Sequence, residues 1–174
     1  MVDELIDIID ENNNIIGQKM KSIVHSEGKR HRVSAILLKN SENKYLIPTA
    51  SDLKLESGGL FHSAAGHVLA GESYLQSAKR ELWEETGLTA DKKDFKSLGS
   101  FWVEKDYPTR KEKERFEVFE IDYTESMGKL VFNEEQINEQ WLSEADLKNI
   151  FLTTPEKISS PLKLSCEYIF HFNS

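Results

Sequence analysis

The chain is predicted to fold as an α/β protein of the α+β kind, a mixed β-sheet sandwiched between α-helices, and three observations lead there. Short β-branched runs recur along its length. One of them, Val33 to Leu38, is apolar on both alternating faces, as a strand covered on both sides must be. A long stretch from Glu72 to Thr86 places Leu75, Ala78 and Leu82 on one stripe, which makes it a helix packed on that sheet.

In order along the chain, Leu5 to Ile9 and Asn14 to Gly17 are separated by Asp10-Glu11-Asn12-Asn13 and read as a hairpin. A polar stretch runs on to Arg30. After the central strand, Tyr45-Leu46-Ile47 reads as a second strand ending at Pro48, Ala50 to Leu60 as loop, and Leu60 to Ala65 as a short strand. Gly87 is the expected stop of the long helix. Leu98 to Val103 and Arg115 to Tyr123 are two further strands joined by a charged, solvated connection. Ser143 resembles a helix N-cap with an acidic first turn, and Leu162 to Phe170 a terminal helix.

The 174 residues, 1–174, fit one domain that buries a core without disulfides. With 39% hydrophobic and 30% charged residues and no long apolar run, a soluble protein with no membrane contact is expected. Met1 to Leu5 lacks the basic start and apolar core of a secretory signal, and the single cysteine, Cys166, suits a reducing cytoplasm. A net charge of −8, with no basic run interleaved with aromatics, argues against polymeric nucleic acid as a partner. Acidity leaves room for a phosphorylated small molecule if carboxylates cluster to hold Mg²⁺ where it binds. An exposed N-terminal hairpin could support a homodimer.

Carboxylates do cluster. Glu81, Glu84 and Glu85 stand at i, i+3 and i+4, so they share one helical face and repel one another unless a cation lies between them. Mg²⁺ takes oxygen ligands and would turn that repulsion into binding. Arg80 precedes Glu84 by four and can orient it, while Ala64-Ala65-Gly66 has so little bulk that backbone can approach a metal or a phosphate. Glu81 to Glu85 alone would pass for the solvated acidic face of an amphipathic helix. The whole pattern, Gly66, five residues, Glu72, seven residues, then Arg80-Glu81-Leu82-Trp83-Glu84-Glu85-Thr86-Gly87-Leu88, has a chance expectation on the order of 10⁻⁷ per chain.

This stretch resembles the Nudix box at every fixed position. The resemblance implies a Nudix (MutT-like) fold and a hydrolase that cleaves the diphosphate of a nucleoside diphosphate derivative or other small organic diphosphate with Mg²⁺ or Mn²⁺. It makes Glu81, Glu84 and Glu85 the metal ligands, Glu81 also the candidate base, Glu72 and Arg80 their supports, and the Gly66 carbonyl a further ligand. The metal then neutralises the diphosphate and acidifies the attacking water, and a carboxylate takes its proton.

From about Leu5 to Trp141 the chain also resembles the isopentenyl-diphosphate-isomerase-like branch of the family, through Asp7 to Glu11, His25, His31-Arg32 and Ser63 to His67. In true isomerases three histidines and two glutamates hold a metal, and a cysteine and a glutamate shuttle protons. His25, His31 and His67 match in place, but the cysteine position is Ala65, which transfers no proton. The glutamates should lie two apart on one strand face, and the corresponding pair here reads Arg115 and Glu117. Hydrolysis is therefore favoured over isomerase activity and over a non-catalytic diphosphate sensor. His25 and His31, in a polar stretch, read first as surface or hydrogen-bonded core residues. His67, beside Gly66, is a candidate substrate contact, and Glu117 a candidate from outside the box.

Overall fold

The structure is a computed structural model that describes residues 3–172; Met1 and Val2, which begin the segment read as lacking a secretory signal, lie outside the described residues. An antiparallel hairpin, β1 (Leu5–Ile9) and β2 (Ile15–Met20), leads into α1 (Lys21–Glu27). Then come β3 (His31–Lys39), β4 (Lys44–Leu46), β5 (Thr49–Ala50), β6 (Ala64–His67) and α2 (Tyr74–Thr86). β7 (Lys96–Asp106), β8 (Lys111–Asp122), β9 (Gln136–Ile137), β10 (Trp141–Ser143), α3 (Glu144–Thr153) and α4 (Ser160–Tyr168) complete the chain.

The main sheet runs β10-β4-β3-β8-β7, with β6 also paired to β3. β3 is its spine. It lies parallel to β8 along its whole length, His31 beside Glu114 to Lys39 beside Asp122, and antiparallel to β6, Val33 beside His67 to Ile36 beside Ala64. The period of two sorts β3 between two cores. Val33, Ala35 and Leu37 pack with Leu147 of α3 and Leu162 and Cys166 of α4. Ile36 and Leu38 pack on the other face with Ala78 and Leu82 of α2. The mixed sheet between helices is the expected architecture, and truncating the fully buried Leu82 to Ala should cost roughly 2–5 kcal/mol.

Several elements differ from the sequence reading. The polar stretch before Arg30 contains α1, whose only fully buried apolar residue is Val24, set against Ile6 and Ile8. Its single turn or two has too little periodicity to read; tertiary packing and the αL residue Gly28 (φ 63°) define it. The short strand expected at Leu60 to Ala65 lies at Ala64–His67, because Leu60 makes only isolated bridges to Thr49 and Ile158. The charged connection after Val103 is largely strand: β7 and β8 continue as paired charged ribbons to a tight turn in which Tyr107 and Arg110 exchange backbone bonds. No helix among the described residues is long and apolar enough to cross a membrane.

Candidate active site

Helix α2 starts two residues later than expected. Ser73 caps it, accepting from the Gln76 N–H while the Gln76 side chain accepts from the Ser73 N–H. Glu72 thus stands ahead of the helix, free to face Arg80. At the far end Gly87 takes the αL conformation (φ 70°) and donates to the Trp83 carbonyl, as a glycine C-cap does.

Arg80 is the hub of the acidic face. Its guanidinium grips Glu72 with Nε and Nη2 at 3.1 and 3.0 Å, reaches Glu84 through Nη1 at 3.0 Å and Glu81 through the same nitrogen, and donates to the His67 carbonyl at 2.8 Å. Glu85 is held elsewhere. It accepts from Lys54 Nζ at 2.6 Å, Gln136 Nε2 at 2.7 Å and the Ala65 N–H at 2.9 Å. Glu81 and Glu85 are buried and Glu84 is exposed. Burial pushes the Glu81 carboxyl up to about 7 against the attraction of Arg80. Burial raises Glu85 also, against Lys54.

Gly66 explains why this position carries no side chain. A Cβ there would lie 2.0 Å from Glu81 Oε1, so the glutamate fills the space that any other residue would take. An acidic trio backed by bare backbone suits a hard divalent cation, which would complete charges that Arg80 and Lys54 now only partly balance.

A second cluster opens beside the first. The parallel register sets His31 beside Glu114, and the β6 register sets His67 beside Val33, two residues along on the same face. Helix α1 adds His25, and one ligand atom from each of His25, His31, His67 and Glu114 lies within 4.8 Å of the others. His25 and His31 are buried, with His25 Nε2 3.1 Å from His67 Nε2 and His31 Nε2 3.4 Å from Glu114 Oε1. Glu112, two residues before Glu114 and equally buried, lies 3.2 Å from His25 Nδ1. His67 is held well below the usual imidazole range by burial and by His31 and His25. Burial would raise Glu114, but the attraction of His31, 3.4 Å away, together with that of His25 outweighs it and lowers the carboxyl. The buried His31 Nε2 and both Glu112 oxygens lack properly formed hydrogen bonds. Three imidazoles and two carboxylates with such orphaned atoms are a donor set that fits a divalent transition metal.

The acidic trio and, from the second cluster, His67, Glu112 and Glu114 line one cavity of about 430 Å³. Of the residues singled out in the sequence, Gly66, His67, Glu81, Glu84 and Glu85 line it, and Glu72 and Arg80 support it from behind. Glu117 does not line it: out of phase with Glu112, Glu114 and Phe116, it hydrogen-bonds Ser97 instead. The glutamates two apart that line the cavity are Glu112 and Glu114, whereas Arg115 and Glu117 do not line it. The signal was present in the alternation of Glu112, Glu114 and Phe116, once β8 is known to start at Lys111. Lys54, Gln136 and Arg110 carried no sequence signal, since their roles depend on loops closing over the sheet.

A mixed sheet between helices, with one helix turning a glycine-backed acidic trio into a cavity, defines a protein of the Nudix class. The NUDIX domain profile matches residues 29–161, and the chain belongs to that family. An isopentenyl-diphosphate Δ-isomerase of Serratia proteamaculans is 35% identical over 98 residues, 56% of this chain and 55% of that protein. An uncharacterised Nudix hydrolase of Yersinia pestis is 35% identical over 104 residues, 59% of this chain and 56% of its own length. The chain therefore spans only about half the length of these curated relatives. The crystal structure of DR0079 from Deinococcus radiodurans superposes with a TM-score of 0.76 at 24% identity, over 96% of this chain and 99% of that one, and shares the fold.

Proposed function

We propose that the chain is a divalent-metal-dependent hydrolase that cleaves the diphosphate linkage of a small organic diphosphate, a nucleoside diphosphate derivative included. The observation that carries this reading is the convergence of Arg80 on Glu72, Glu81 and Glu84 behind a cavity that Glu85 and Gly66 also line. Glu81, Glu84 and Glu85 are the residues to hold Mg²⁺ or Mn²⁺, with the Gly66 carbonyl as a further ligand. Such an ion, when bound, supplies charge neutralisation for the diphosphate and makes water at the site more acidic.

The chain's own groups do the rest. Arg80 fixes the direction of Glu81 and Glu84, so that little rotamer freedom remains to be lost on binding. Glu81 takes the proton as a water oxygen attacks phosphorus in line; the opposite P–O bond breaks and its electron pair leaves with the departing phosphate. Lys54, which pairs with Glu85, would be left to face the anionic substrate were Glu85 to hold a cation.

A second reading, isomerisation of an isoprenoid diphosphate, is favoured by the histidine cluster and by the similarity to a protein named an isomerase. The cluster supports a second, transition-metal position in either reading. Isomerisation lacks its thiol, because Ala65 offers only a methyl group to the cavity. Phosphate release from a panel of diphosphates, with Mg²⁺ or Mn²⁺ and with chelator, separates the readings. Metal-dependent release that Glu81→Gln lowers by about 10²–10⁴-fold is expected. Deuterium exchange into an isoprenoid diphosphate without phosphate release would replace hydrolysis with isomerisation.

A further inference from the structure

We infer that Arg110 is a guanidinium gate on the histidine cluster, a built-in cation that competes with a divalent metal for His25 and Glu112. The inference rests on reading that cluster as a metal site. Arg110 stands at the turn between β7 and β8 and reaches in over the cluster. Its Nη2 lies 2.9 Å from His25 Nε2 and 3.2 Å from His25 Nδ1, and its Nε contacts Glu112 Oε1. His25 Nε2 is also the atom that faces His67, so the guanidinium meets the cluster at a nitrogen a metal would need.

Glu112 is the group that this contact diverts. It is as buried as Glu114, yet the four residues whose ligand atoms converge are His25, His31, His67 and Glu114. Glu112 is turned to Arg110 and to the other nitrogen of His25. A fixed positive charge at hydrogen-bond distance from a ligand nitrogen opposes entry of a second cation, and arginine cannot shed its charge to make way. The guanidinium has a way out, since the Arg110 side chain is 31% exposed. Its backbone is fixed, because Tyr107 at the same turn is bonded to Glu56 across the cavity mouth. Metal loading therefore requires the side chain to swing outward, which frees Glu112 to turn inward.

The test uses the full chain stripped of metal, with Zn²⁺ and Mn²⁺ titrated against a chromophoric chelator. Arg110→Met should bind at the histidine cluster at least about tenfold more tightly than the wild type with the same stoichiometry, since like-charge opposition is removed. Arg110→Gln, which keeps hydrogen-bonding capacity without charge, should do the same if the Met variant folds poorly. His31→Asn should remove one ion from either background. Unchanged or weaker binding in both Arg110 variants, with the His31-dependent ion still present, overturns the gate and leaves the metal reading standing. Loss of no ion on His31→Asn overturns both.

Discussion

The two clusters that share the cavity are built in opposite ways. The acidic face of α2 comes from one contiguous stretch, yet its carboxylates are split between two cations, Glu81 and Glu84 bridged by Arg80 and Glu85 held by Lys54. The histidine cluster draws on α1, β3, β6 and β8, yet its atoms already converge. Helical spacing places residues on a common face without bringing their tips together. Strand register brings together tips from residues far apart in the sequence.

The largest expected effect is on the helix side, where Glu81→Gln should lower metal-dependent release by about 10²–10⁴-fold while the variant stays folded. Gly66→Ala should come next, with turnover down by about 10²-fold at near wild-type thermal stability. The added methyl would displace only the end of the Glu81 side chain, and the Gly66 backbone needs no special conformation. Full activity in Gly66→Ala would show that the position of Glu81 is not critical. Arg80→Lys keeps the charge but loses the fork that grips Glu72 and reaches Glu81 and Glu84, so turnover should fall about 10–100-fold. A wild-type rate would leave Arg80 a structural ion pair alone.

The smallest effect concerns stability. The Glu81 carboxyl rises from its ordinary 4.5 to about 7 on folding, so the folded state holds the proton more tightly. Stability from this group is complete below pH 4.5 and is lost as pH rises through 7, by up to about 3 kcal/mol. Glu85, raised as well, acts in the same direction, whereas Glu114, lowered, acts oppositely and at lower pH. Thermal melts in chelator should therefore show the wild type weakening from pH 5 to pH 8 and Glu81→Gln weakening less. Parallel slopes would mean that the Glu81 proton is not coupled to folding.

The same contrast sets what the sequence could reveal. The apolar period of Val33 to Leu38 and the stripe of Leu75, Ala78 and Leu82 are local, and they led to the sheet covered on both faces by helices. The box residues are local too: Gly66, Glu81, Glu84 and Glu85 line one cavity, with Glu72 paired to Arg80 behind them. His25 reads as ordinary because α1 has too few buried apolar residues to announce itself, and His31 because it opens β3 ahead of the apolar run that marks that strand. Glu112 and Glu114 were missed because the ends of β7 and β8 are charged ribbons that look like loop; pairing between strands, not apolar content, holds them.

Glu56 ties three distant segments at the cavity mouth. It accepts from Lys105 and Tyr107 on the β7–β8 ribbon and from both the hydroxyl and the N–H of Ser160 at the start of α4, while itself belonging to the loop after β5. None of the three can shift without straining the bonds of the others. At this rim one carboxylate thus cross-links the loop, the ribbon and the start of α4, making one braced frame of what would otherwise be three independent flaps.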